Sequence, residues 1–224
     1  MEFLEVIPAA WGWSYAGDSL FNGGLNDALE VREDYLLRWT IDRDADIARS
    51  GHGHSVPIRP FLGTVGCAPA GDGWHSGWHP RRTGGNMDCP LLDAGATVFL
   101  PVEVPGALLS VGDGHAAQGD GELGGSAIEC PMERVSLRCH LLRGPRLEAP
   151  RATTPEGWVT LGMGGTLEEA AQMLARGMLD WLQAERAMAR PEALTLLSVA
   201  GSLRVTQLVN EIVGVHLVFD PDAI

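Results

Sequence analysis

The sequence predicts an α+β protein built mainly of antiparallel strands in packed, sandwich-like sheets, with helices towards the C-terminal end. Three observations predict it. Twenty-nine glycines and 14 prolines among 224 residues supply the tight turns that many short strands need. Up to about residue 150 the apolar residues alternate over short stretches, as in half-buried strands. After Pro150 the apolar period becomes helical.

The chain opens on an apolar stretch, MEFLEVIPAA, followed by the aromatic and turn-rich WGWSYAGDSLFNGG. Tyr35, Leu37, Trp39 and Ile41 then alternate and predict a strand. The polar loop ARSGHGHS leads into VPIRPFLGTVGCAPA, where prolines and glycines exclude a helix and predict short strands with bends. GDGWHSGWHPRRTGGNMDC reads almost wholly as loop, and so long an irregular segment is a usual carrier of function. From Ala96 to Val104 the alternation predicts a strand, ALLSVGDG a strand breaking into glycines, and AIECPMERVSLRCHLLRG one bent strand or two. Thr166 and Glu169 make a capping box, and Leu167, Ala170, Ala171, Leu174, Met178, Trp181 and Leu182 share one face of the helix behind it. A second helix starts with Pro191 in its first turn and runs to Gly201, and LRVTQLV reads as a strand. The expected organisation is a β-rich core over 1–150 with a helical and strand segment, 151–224, packed on it.

Sixteen Lys and Arg against 29 Asp and Glu leave a net charge of −13, which excludes nucleic acid and anionic membrane as partners. With 45% hydrophobic and 20% charged residues, the chain can bury a core and is not a disordered tail. No basic leader precedes an apolar run and no stretch of 18 apolar residues occurs, so a soluble, cytoplasmic protein is expected. Cys67, Cys89, Cys130 and Cys139 are scattered without a C-x-x-C pair, as in a chain whose thiols stay reduced.

Polar residues crowd into Gly84–Asp88 and into Gly112–Glu122, the latter placing Asp113, His115, Gln118, Asp120 and Glu122 among small residues. In an extended chain Asp113 and His115 point to one side and can ligate one ion; Asp120 and Glu122 form a second such pair. On spacing alone this stands beside a plainer reading, a solvated glycine loop whose Asp side chains satisfy turn backbone. The register and flanks do not fit an EF-hand. Cys89 and Cys130 read as packing rather than nucleophiles, and His52, His54, His75 and His79 as solvated loop residues rather than metal ligands. Arg81 and Arg82 are either a surface pair or a holder of a carboxylate, and Trp74 and Trp78 are candidates to wall an apolar pocket. No G-x-S-x-G elbow and no H-E-x-x-H motif is present.

The runs IRPFLGTVGCAPA (Ile58 to Ala70), RRTGGNMDC (Arg81 to Cys89) and LPVEVPGALLSVGDGHAAQGDGELGGSAIE (Leu100 to Glu129) resemble, in order, the acetamidase/formamidase family of amide hydrolases. EEAAQMLARGMLDWL and LTLLSVAGSLRVTQLV resemble its C-terminal part, so the likeness covers most of residues 55–212, and WGWSYAG looks like a shortened form of its middle region. The resemblance implies hydrolysis of a small linear or cyclic carboxamide to carboxylate and ammonia or amine by metal-activated water. It implies Asp88, Asp113 and His115 as ligands of a divalent ion, with mixed N and O donors favouring zinc over calcium, magnesium or manganese. Glu122 is the implied proton shuttle, with Asp120 as its partner or an extra ligand; Asn86, Gln118 and Glu129 are implied on the substrate side. Two departures stand out. The family's N-terminal β segment before Leu4-Glu5-Val6 has no counterpart, so either a homo-oligomer or a hetero-oligomer with a chain supplying that region is expected, and the alternative function is one subunit of a split amidase or a noncatalytic β-rich scaffold. The family also shows acids where this chain has Ser202 and Asn210.

Overall fold

The computed structural model describes residues 1–17, 24–144 and 146–222; the turn-rich residues 18–23 lie outside it. In chain order the elements are β1 (Glu2–Pro8), β2 (Trp11–Ala16), α1 (Gly24–Ala28), β3 (Tyr35–Asp42), β4 (Ile47–Ser50), β5 (Ser55–Pro57), β6 (Phe61–Gly66), β7 (Gly84–Asn86) and β8 (Thr97–Phe99). There follow β9 (Ser110–Ala117), β10 (Ile128–Glu129), β11 (Met132–Arg138), β12 (Arg151–Thr154), β13 (Gly157–Gly164), α2 (Leu167–Arg186), α3 (Arg190–Ala200), β14 (Ser202–Gln207) and β15 (Val213–Phe219). The strands make two antiparallel sheets: seven strands in the order β11-β1-β8-β12-β13-β15-β14, and eight in the order β5-β4-β3-β2-β10-β9-β6-β7.

The largest core lies between the sheets. Phe3, Val98, Val159, Leu161 and Val218 of the first pack with Leu62 and Val65 of the second, and with Met87, Leu91 and Leu92 behind β7. On the outer face of the first sheet, Val215, Leu217 and Phe219 of β15 meet Leu174, Met178 and Leu182 of α2. The strand period of two therefore puts His216, like Val218, on the inter-sheet side. The capping box of α2 forms as expected, with Thr166 Oγ1 accepting from Glu169 N at 3.2 Å. Gly162 lets the helix approach: a Cβ there would lie 2.0 Å from the carbonyl oxygen of Ala170.

Where structure and expectation differ, the cause is local. The alternation from Ala96 to Val104 yields only three strand residues, because Pro101 cannot donate to a ladder. GDGH does not break into a glycine loop but continues β9 to Ala117, because Gly114 admits the carbonyl of Cys130, which a Cβ would meet at 2.4 Å. The bent segment is two strands, β10 and β11. β12, β13 and β15 were not foreseen, and strands from both sides of Pro150 share the first sheet.

Candidate metal centre

β9 lies between β10 and β6 and carries His115 opposite Glu129 on one side and Phe61 on the other. The imidazole is 1% exposed, with Phe61 edge-on to it at 5.0 Å between ring centroids. Its Nε2 stands 3.2 Å from Glu129 Oε2 and 3.4 Å from Asp113 Oδ1. Its Nδ1 stands 3.0 Å from Gln118 Oε1. Gln118 can only accept there, since its Nε2 donates to the carbonyls of Asp88 (2.8 Å) and Thr206 (3.3 Å). Nδ1 is thus the donor, and in the neutral ring the Nε2 lone pair faces the carboxylates.

Asp88 enters from the turn after β7. Its backbone N–H and that of Met87 both donate to Gly63 O at 3.0 Å, which pins the turn to β6. Asp88 Oδ2 accepts from Asn210 Nδ2 at 2.7 Å, while Oδ1 is buried without a partner. Gly63 creates the space in front of it. A Cβ there would lie 2.6 Å from both Asp88 Oδ1 and Asp113 Oδ2 and 3.0 Å from His115 Cε1. Glu122 arrives from the turn after β9, closed by Glu122 N to Gly119 O (3.2 Å) and Gly125 N to Glu122 O (2.9 Å). One ligand atom each from Asp88, His115 and Glu122 lies within 4.8 Å of the others, and the same holds for Asp113, His115 and Glu129.

Charge crowding sets the protonation. Burial, and then the neighbouring charge of Asp88, push the Glu122 carboxyl up to about 9. Burial likewise raises Asp88 to about 7, although the His115 charge opposes it. Burial would lower His115, yet hydrogen bonds to Asp113 and Glu129 hold it well above its ordinary value. Asp113 is raised by burial but ends below its ordinary value through the His115 contact. A buried acceptor without a donor, an imidazole oriented by its other nitrogen, four converging carboxyls and a glycine-made gap together fit a divalent cation.

Of the residues singled out in the sequence, Asp88, Asp113, His115, Glu122 and Glu129 converge. Asp120 is exposed and belongs to neither group. Asn86 lies beside the cluster with its amide engaged: Oδ1 accepts from Thr64 Oγ1 at 2.6 Å and Nδ2 donates to Trp78 O at 3.4 Å. Arg82 pairs with Glu103 and Glu148, and Arg81 donates to the carbonyls of His79 and Ser76, so both arginines knit loops. Burial lifts Cys89 to about 12 and Cys130 to about 11, which keeps both as thiols. Ser202 is exposed at the start of β14, far in character from Asn210, which is buried against Asp88. Gly63 was missed, although a lone glycine inside an apolar strand signals close approach.

The model of the Acetamidase/Formamidase family matches residues 75–155, which include GGNMD and GDGHAAQGDGE. Formamidase of Methylophilus methylotrophus is 34% identical over 99 residues, 44% of this chain and 24% of that protein. The fold superposes on a recombinant predicted acetamidase/formamidase from the thermophile Thermoanaerobacter tengcongensis with a TM-score of 0.86 and 27% identity, over 97% of this chain and 70% of that one. On acetamidase from Bacillus halodurans the TM-score is 0.81 and the identity 29%, over 96% of this chain and 70% of that one. In the curated relatives the matched segments span 11–24% of each protein. The likeness read from the sequence and the mainly antiparallel architecture are both borne out.

Proposed function

We propose that this acetamidase/formamidase-like chain hydrolyses a small carboxamide at the cluster over Gly63, with a divalent cation held by Asp88, Asp113 and His115. The observation that carries the reading is the buried, unpartnered Asp88 Oδ1 facing Asp113 Oδ2 and His115 across a gap that only a glycine leaves open. Mixed carboxylate and imidazole donors favour zinc, with manganese, magnesium or calcium as alternatives. A cation there supplies Lewis acidity, which acidifies water and polarises an amide carbonyl. Amide nitrogen leaves badly unless it is protonated, and Glu122 suits that role, because its buried carboxyl holds a proton readily and can take one from water and hand it to nitrogen. Gln118 keeps His115 in the tautomer whose Nε2 faces the carboxylates. From β10, Glu129 Oε2 stands 3.2 Å from the same nitrogen and accepts from it when the ring is charged. The exposed Asp120 takes no step.

The test is cation content and ammonia release from formamide, acetamide and larger amides. Chelation should abolish turnover. Glu122→Gln should retain the cation and lose about 10²- to 10⁴-fold in rate. Gly63→Ala should lose both, because its methyl fills the gap. Turnover indifferent to chelator and to Glu122→Gln would refute the reading.

A second reading concerns assembly. The chain spans about 70% of each of two solved chains it superposes on, and the alternative we propose is that a partner chain or a second copy contributes to the enzyme. Light scattering and melting of the chain expressed alone decide it: a monodisperse, cooperatively melting, active monomer removes the need for a partner.

A further inference from the structure

Residues 206–212, at the end of β14 and in the turn to β15, are tethered to Asp88, to the turn that carries Glu122 and to the loop that holds Asn86. The turn begins at a register break: Val205 pairs with Val215, but Gln207 pairs with Gly214, so one extra residue enters β14 and re-aims the chain. The side chain of Gln207, 0% exposed, braces the turn from within. Its Oε1 accepts from Val209 N (2.9 Å) and Asn210 N (3.2 Å), and its Nε2 donates to Ile212 O (2.6 Å). Three tethers leave this turn. Thr206 O accepts from Gly121 N (3.2 Å) and Leu208 N donates to Gly121 O (3.1 Å), holding the turn that carries Glu122. Glu211 Oε2 lies 3.2 Å from His79 Nε2, holding the loop whose Trp78 carbonyl binds Asn86. Asn210 Nδ2 reaches Asp88 Oδ2 across 122 positions of sequence.

The third tether is selective. Asn210 occupies one oxygen of Asp88 with a donor, so only Oδ1 is left for the gap over Gly63. We infer that the 207–212 turn is the positioning device of the site, and that Asn210 is the positioning residue that fixes which oxygen of Asp88 meets the cation. This rests on the cation-dependent reading above. Asn210 does not touch the reacting atoms; it acts through Asp88, as groups behind metal ligands do.

The test is titration of the full chain with Zn²⁺ and Mn²⁺, alongside melts of the chelated protein. Asn210→Leu, which keeps the size and removes the donor, should weaken binding about 10- to 100-fold while the chain still melts cooperatively. Asn210→Ala repeats the test without bulk should the leucine not fold. The decisive readout is a double-variant cycle: added to Asp88→Asn, Asn210→Leu should cost nothing further, because the two act through one carboxylate. Losses that multiply in the double variant, or an Asn210→Leu chain that binds as tightly as the parent, would overturn the inference and leave the functional reading intact. A parent chain that binds neither ion and releases no ammonia would overturn both.

Discussion

Asp88, Asp113 and Glu122 hold φ values of 48°, 60° and 48°, a left-handed backbone conformation that residues other than glycine adopt uncommonly. Such strain is retained where surrounding contacts over-determine it, and here those contacts bring three carboxyls around His115, Asp88 with Glu122 in one group and Asp113 with Glu129 in another. Gathering them costs stability in a pH-dependent way. Glu122, Asp88 and His115 all keep protons in the folded chain beyond the pH at which an unfolded chain releases them. At these three groups the folded protein binds more protons than the unfolded one between about pH 4 and 9, which lowers stability as pH rises; His216, which burial pushes down to about 4, opposes this below about pH 6.5. Melts of the chelated chain should show Tm declining from pH 5 to 9, and Glu122→Gln should flatten the decline above pH 7. An unchanged slope in that variant would contradict the burial of a protonated Glu122. The acids themselves were legible in the sequence, because small residues packed around Asp, His and Glu mark a place where ligand and backbone come close. Their division of labour was not. Nothing in the string HAAQGDGE tells that Gln118 faces inward to two carbonyls while Asp120 faces water.

The elements divide by how their faces are covered. α2 was readable because one face is wet and the cap is explicit. β13 and β15 were not, because each is covered by α2 on one face and by the second sheet on the other. Such strands carry near-continuous apolar residues and lose the alternation by which strands are recognised. This double covering depends on close approach. Gly162→Ala would place a methyl 2.0 Å from one backbone atom of α2 and 2.9 Å from another, neither of which can yield without moving the helix. We expect a loss of roughly 1–3 kcal/mol. In a chain of this size each kcal/mol lowers Tm by about 2–4 °C. A thermal melt indistinguishable from the parent would show that α2 does not sit so close.

Across the whole molecule, the cluster draws Gly63, Asp88, Asp113, His115, Glu122 and Glu129 from one sheet and its turns, and Asn210 from the hairpin of the other. Resemblance in the sequence located the acids and the histidine of the first group; Asn210 is separated from them by too much chain for local pattern to connect. The span from Asp88 to Asn210 also has a kinetic consequence. Contacts between distant parts of a chain form late, after the entropy of closing the intervening loop has been met. A cation that needs the docked hairpin then stabilises only structure formed beyond the folding barrier. At a concentration of 100 times Kd it adds about 2.7 kcal/mol. Stopped-flow experiments should find that energy as about 100-fold slower unfolding with refolding unchanged. Refolding accelerated by the ion would mean that the site assembles before the barrier is crossed. On the cation reading proposed above, the hairpin turn is a timing element as well as a frame: until it docks, the chain has the carboxyls but not the grip.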